Sequence, residues 1–150
     1  MIDNKVKAIA EKYGIVLIYL FGSQADKGLK YLKGEGVTPD AVSDLDVAIA
    51  FENPQGETIK TYGILYKETS DVFDPFNIDL IFMHEVDTLF QYEVIKGIRI
   101  YEKDELYTDD FEEGIMKRAE DLVFKRRILN NEIMEAIEDG YFEFEYSPNS

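Results

Sequence analysis

Three aspartates stand where chemistry could be done: Asp44 and Asp46 within Ser43-Asp44-Leu45-Asp46, and Asp79 within Asn77-Ile78-Asp79-Leu80. All three lie in apolar runs that read as strands, Leu45 to Phe51 and Phe76 to Met83. Acids are rarely placed inside such runs without a role, because an unpaired buried carboxylate is costly. Side chains alternate along a strand, so Asp44 and Asp46 share a face, and Asp79 can join them from a neighbouring strand. Upstream, Ile15-Val16-Leu17-Ile18-Tyr19-Leu20-Phe21 runs into Gly22-Ser23. A glycine there lets the main chain approach a phosphate, and the Ser23 hydroxyl and nearby amides can hydrogen-bond it at a helix start.

Converging carboxylates beside a phosphate turn suit phosphoryl transfer. Two divalent ions about 3.5 to 4 Å apart stabilise both the attacking and the leaving oxygen of an in-line displacement. Magnesium favours oxygen ligands and keeps several waters, which matches a sparse aspartate set; manganese is the natural alternative. Asp44 and Asp46 are expected to bridge the metals. Asp79 completes the second site and can accept or orient the proton of an attacking hydroxyl. Without metal the three acids repel one another, so at least one is expected to hold its proton to higher pH than usual.

These residues need elements to position them. Asn4 to Tyr13 carries Val6, Ile9 and Ala10 at helical spacing and Gly14 stops it, giving a leading helix before the first strand. A second helix is expected from Ser23, with that serine as N-cap, and Gly34, Gly36 and Pro39 mark the loop Lys33 to Val42. After the Asn53-Pro54-Gln55-Gly56 turn, Ile59, Tyr62, Leu65 and Tyr66 form a helical stripe that ends before Pro75. Val86 to Ile95 reads as a helix, Ile98 to Tyr101 as a short strand, and Asp109 to Gly140 as one long amphipathic helix. The acidic, aromatic tail over about 141–150 can add an edge strand or dock on a partner, and packing on its own domain or disorder accounts for it at least as well.

At 150 residues, 45% of them hydrophobic, the chain is expected to form one domain over 1–150 with a continuous core. It has no cysteine, which excludes disulfides, thiolate zinc sites and cysteine nucleophiles. The longest apolar run, Ile15 to Phe21, is too short for a membrane span and follows a charged segment unlike a secretory signal, so a cytoplasmic protein is expected. A net charge of −15 argues against binding long nucleic acid, which needs Lys and Arg to displace counterions, and favours metal ions or a basic protein partner.

Phe21-Gly22-Ser23-Gln24-Ala25, Ser43-Asp44-Leu45-Asp46-Val47-Ala48 and Asn77-Ile78-Asp79-Leu80 together resemble the nucleotidyltransferase superfamily that includes DNA polymerase beta. The likeness is greatest to its small MNT-type members, the minimal nucleotidyltransferases. The resemblance implies an α+β nucleotidyltransferase fold, with a central mixed sheet flanked by helices and a long C-terminal helix. It implies two Mg²⁺ ions on Asp44, Asp46 and Asp79, and a nucleoside triphosphate, ATP by expectation, with its phosphates near Gly22 and Ser23. The family reaction moves a nucleoside monophosphate to a hydroxyl. Many small members resemble antitoxins paired with a HEPN-type ribonuclease toxin, some of which adenylylate a toxin tyrosine. Transfer of AMP to such a partner is therefore the leading expectation. Alternatives are an antitoxin acting by stoichiometric binding, or a small-molecule transferase of the aminoglycoside-modifying sort.

The chain departs from the pattern in carrying twenty residues between Ser23 and Asp44, longer than is usual in small members. Gly28 can match the family's following glycine, and Lys27, Lys30 and Lys33 of this insert are read as solvated helix-face and loop charges. His84, the single histidine, reads as a surface or capping residue. Tyr19, Tyr62 and Tyr66 could stack on a base, though core packing explains them equally well. Arg118, Arg126 and Arg127 read as solvated charges of the last helix.

Overall fold

A computed structural model describes residues 2–54 and 59–140. In chain order it contains α1 (Ile2–Tyr13), β1 (Ile15–Phe21), α2 (Ala25–Leu32), β2 (Leu45–Phe51), α3 (Ile59–Phe73), β3 (Ile78–Phe82), α4 (Thr88–Ile95), β4 (Ile98–Glu102) and α5 (Glu105–Glu138), with a single 3-10 turn at Met83–Glu85. The four strands form one sheet in the order β3-β2-β1-β4. β1 runs antiparallel to both neighbours, while β2 and β3, joined through α3, run parallel. This is the mixed α/β architecture expected, with strand bounds at β1 and β2 as the apolar runs indicate.

The sheet is covered on both faces, which is why its central strands read as continuous apolar runs. Val6 and Ala10 of α1, Ala25 and Leu32 of α2, and Leu65, Val72 and Phe73 of α3 pack on Ile18, Leu20, Val47, Ile49, Leu80 and Phe82. On the opposite face Leu17, Tyr19, Ala48 and Ala50 meet Val94 of α4 and Ile115 of α5. Val16 and Leu17 both turn to this second face, where the β1–β2 register shifts between Ile15 and Leu17; a bulge accounts for two successive residues sharing a side. Alternation resumes from Ile18.

Helix starts differ from the expectation: α1 begins two residues earlier, at Ile2, α4 begins at Thr88 behind the Asp87 cap and leaves Val86 outside, and the starts of α2 and α5 differ as well. Ser23 does not cap α2: Gly22 adopts φ +78°, the turn closes through the Ala25 amide donating to the Gly22 carbonyl (3.3 Å), and Gln24 takes the N-cap position. α5 begins four residues earlier than its stripe, because the Asp104 side chain accepts from the Leu106 amide (3.1 Å) and caps the helix. The 53–56 turn is described only as far as Pro54, and the proposed edge strand at 141–150 lies outside the described residues. Among the described residues no helix is long and apolar enough to cross a membrane.

Candidate functional site

Asp46 and Asp79 meet because the parallel β2–β3 pairing sets them in direct register. Both follow the parity of Ala48, Ala50 and Ile81, so they belong to the face covered further along by α4 and α5. Antiparallel pairing also sets Phe21 opposite Asp46, which brings the turn after β1 onto the same spot. Gly22 is required there twice over: its φ is positive, and a Cβ would collide with Oδ2 of Asp46.

The electrostatics show the crowding. The Asp46 carboxyl is pushed up to about 6, first by burial, then by the charges of Asp79 and Asp44, and by a hydrogen bond with Asp79. The like-charge effect expected from the sequence therefore falls on Asp46, the half-buried member. Asp44 and Asp79 themselves are exposed. For Asp79 this revises the expectation: its apolar neighbours Ile78 and Leu80 face the core, while its own side chain opens to solvent. Asp44 lies one residue before β2, in the approach loop, near enough to act on Asp46 through its charge.

Whether such a set suits a divalent cation follows from its chemistry. Its donors are hard carboxylate oxygens, two of them adjacent and mutually repelling, beside an open turn; this is the ligand type magnesium and manganese take. Among the described residues no three His, Cys, Asp or Glu side chains stand close enough to enclose an ion. Asp46 and Asp79 make the hydrogen-bonded pair, and Asp44 acts on Asp46 through its charge. The residues fit in kind, and Asp46 and Asp79 fit in placement on adjoining strands, with Asp44 at the entrance to β2.

Ser23 is exposed in the turn next to Gly22. A recess of about 440 Å³ opens alongside, lined by Phe21, Gly22, Ala25, Asp26, Lys96 and Gly97. Gly28 serves packing: a Cβ would press on Leu45 and Leu20, so its absence lets α2 lie close on the sheet.

Sequence reasoning missed Gln24. It is fully buried, its amide NH₂ donates to the Ser43 carbonyl, and its Oε1 accepts from the Asp40 amide (2.7 Å). One side chain thus ties the Gly22 turn to the loop that delivers Asp44. A glutamine at a helix start carries no such signal in sequence, since its partners lie 16 and 19 residues away.

The aromatic candidates separate. Tyr19 is buried on the α5 side and its hydroxyl donates to Glu112 (2.5 Å), so it is unavailable to a base. Tyr62 donates to the Leu80 carbonyl (2.7 Å), next to Asp79, and stacks with half-exposed Tyr66 at 6.2 Å. His84 is exposed and lies against Phe82 (5.9 Å) and Phe51 (6.0 Å), away from the acids along β3. Lys27, Lys30 and Lys33 are exposed on α2 and at its C-cap.

No curated protein matches the chain. Solved structures share its fold. A chain of the MntA–HpeT toxin–antitoxin, in a doubly substituted form, superposes with a TM-score of 0.63 at 16% identity, over 88% of this chain and 98% of that one. A chain of a toxin–antitoxin with AMP-PNP gives 0.62 at 17% identity, over 89% and 99%. A chain from the complex of tri-AMPylated Shewanella oneidensis HEPN toxin with MNT antitoxin gives 0.60 at 16%, over 89% and 96%. Residues 4–106, from α1 through the start of α5 and including all three aspartates, match the family described as Polymerase beta, Nucleotidyltransferase. The chain belongs to the polymerase beta nucleotidyltransferase family.

Proposed function

We propose that this protein is a divalent-metal-dependent nucleotidyltransferase that moves AMP from ATP to a hydroxyl on a protein partner, a HEPN-type toxin, and so acts as an antitoxin in the cytoplasm. The observation that carries the reaction is the register pairing of Asp46 with Asp79 against the Gly22 turn. The partner reading draws support from the fold shared with chains of toxin–antitoxin complexes, one of which holds an AMPylated toxin.

In this reading the exposed turn at Gly22 and Ser23 binds the triphosphate through main-chain amides and the serine hydroxyl. The neighbouring recess gives the nucleoside room. Asp44, Asp46 and Asp79 would hold Mg²⁺ or Mn²⁺, which, when bound, neutralises charge on the attacking and leaving oxygens. Asp79, exposed beside Asp46, orients the acceptor hydroxyl in this reading and accepts its proton as the oxygen attacks the α-phosphorus. The bond to the bridging oxygen of the leaving pyrophosphate then breaks. Tyr62 anchors β3 at Leu80, beside Asp79, and is assigned a positioning role.

The test uses α-labelled ATP with magnesium and, as acceptor, the expressed product of a HEPN-type toxin gene. Label is expected on that product, with release of pyrophosphate, and none with Asp46→Asn. If Asp46→Asn still neutralises a toxic partner, with no label transferred by the wild type, the protein acts by stoichiometric binding.

A further inference from the structure

The second half of α5 leaves the domain. From Asp121 to Glu138 every side chain except Ala136 is exposed, although Ile115 and Ala119 one to two turns earlier are buried. The face that is core at Ile115 and Ala119 continues outward through Leu122, Val123, Leu129, Ile133 and Ile137. Leu122, Arg126, Leu129 and Ile133 repeat by alternating steps of four and three, the seam of a paired helix, with Val123 and Ile137 along its edge. About 25 Å of apolar stripe is thus left without cover at the ordinary helical rise.

Charge indicates what covers it. The whole chain carries −15, but after Asp121 the exposed half of α5 carries three cations, Lys125, Arg126 and Arg127, followed by three anions, Glu132, Glu135 and Glu138, with a fourth, Asp139, at the C-cap. None of these seven has an ion-pair partner among the described residues. A helix that is basic first and acidic afterwards complements its own antiparallel copy.

We propose that the outer half of α5 pairs antiparallel with the same segment of a second copy of this chain. Stacking the seam sets Leu122 against the partner subunit's Ile133, and Leu129 against the partner subunit's Arg126. In that register Lys125 lies on the flank beside the partner subunit's Glu132, and the same pair recurs by symmetry. Arg118 likewise falls beside the partner subunit's Asp139. A polar residue within the seam, here Arg126, fixes the register. A groove of about 500 Å³ opens where α5 departs from α4, lined by Leu89, Tyr92, Ala119, Val123 and Phe124, and receives the partner's helix end. Antiparallel pairing also sends the two acidic domains to opposite ends, which limits their repulsion beyond a Debye length. This pairing is independent of the proposed transferase reaction.

The test is sedimentation equilibrium of the full chain, without nucleotide, metal or other protein. A dimer is expected for wild type. Lys125→Glu and Glu132→Lys each convert two attractive flank pairs into repulsive ones and should weaken dimerisation by about tenfold or more. The double exchange should restore it, and Leu129→Glu should give a monomer with unchanged helix content by circular dichroism. A wild-type monomer overturns the proposal, as does a dimer whose double exchange fails to recover. A monomer that instead binds a different protein through Leu129 and Ile133 also overturns it and assigns the face to that partner. Because no readout involves nucleotide transfer, failure here leaves the catalytic reading standing, and the reverse holds too.

Discussion

Replacing Asp46 by asparagine should make the metal-free protein more stable, although it removes a central member of the site. Folding places this carboxyl against Asp79 and near Asp44, and raises it from 3.8 to about 6. A folded-state value above the unfolded one means that the native protein retains a proton the unfolded chain has released. The contribution is complete below about pH 4 and is lost as pH rises through about 6, so at neutral pH the ionised carboxylate opposes folding. A rise from 3.8 to about 6 corresponds to roughly 3 kcal/mol for a fully shielded group. Asp46 is only half-buried, and solvent screening reduces the expected gain of Asp46→Asn to about 1–2 kcal/mol at about pH 8. Urea unfolding in EDTA from about pH 4 to pH 8 reads the effect directly. The two proteins should converge at the acid end, diverge between about pH 4 and pH 6, and keep a constant difference above that. Magnesium should then stabilise the wild type by binding only its folded form and leave the variant nearly unmoved. A variant less stable than wild type in EDTA at about pH 8, or a difference independent of pH, refutes the reasoning.

Two other substitutions probe how the site is assembled. Gly22→Ala meets both a positive φ and the Asp46 carboxylate, and should cost about 1–3 kcal/mol in thermal unfolding. Gly36→Ala, which meets nothing within 4 Å, should stay within about 0.5 kcal/mol of wild type. Gln24→Leu removes a buried clasp and leaves the Asp40 amide and Ser43 carbonyl without it; a loss of about 1–3 kcal/mol is expected, with hydrogen exchange faster at Asp40 and along the approach to Asp44. Unchanged protection at Asp40 would remove Gln24 from that role.

Much of the scaffold could be read from pattern, because β1 and β2 are buried on both faces and their apolar runs begin and end where the strands do. The contact of Asp46 with Asp79 follows from parity once β2 and β3 are known to be parallel neighbours, which the helical stripe between them suggests. What sequence could not supply was long-range pairing and cover. Ser23 looked like a cap, but the positive-φ turn at Gly22 shifts the helix start beyond it. Tyr19 suited a base platform and the core equally; its ring is core and its hydroxyl belongs to Glu112. Asp79 looked buried among Ile78 and Leu80, whereas alternation turns those two inward and the acid outward. In α5 one unbroken period spans a covered half and an uncovered half, since periodicity records which face is apolar and not what lies against it.

Acids from β2, its approach loop and β3 should jointly hold divalent metal beside the Gly22 turn. A crystal structure with Mn²⁺ and a non-hydrolysable ATP analogue tests it through anomalous scattering. Manganese is expected within about 2.0–2.3 Å of carboxylate oxygens of Asp44, Asp46 and Asp79, with phosphates against Gly22 and Ser23. Manganese bound elsewhere, or nucleotide seated away from that turn, would contradict it.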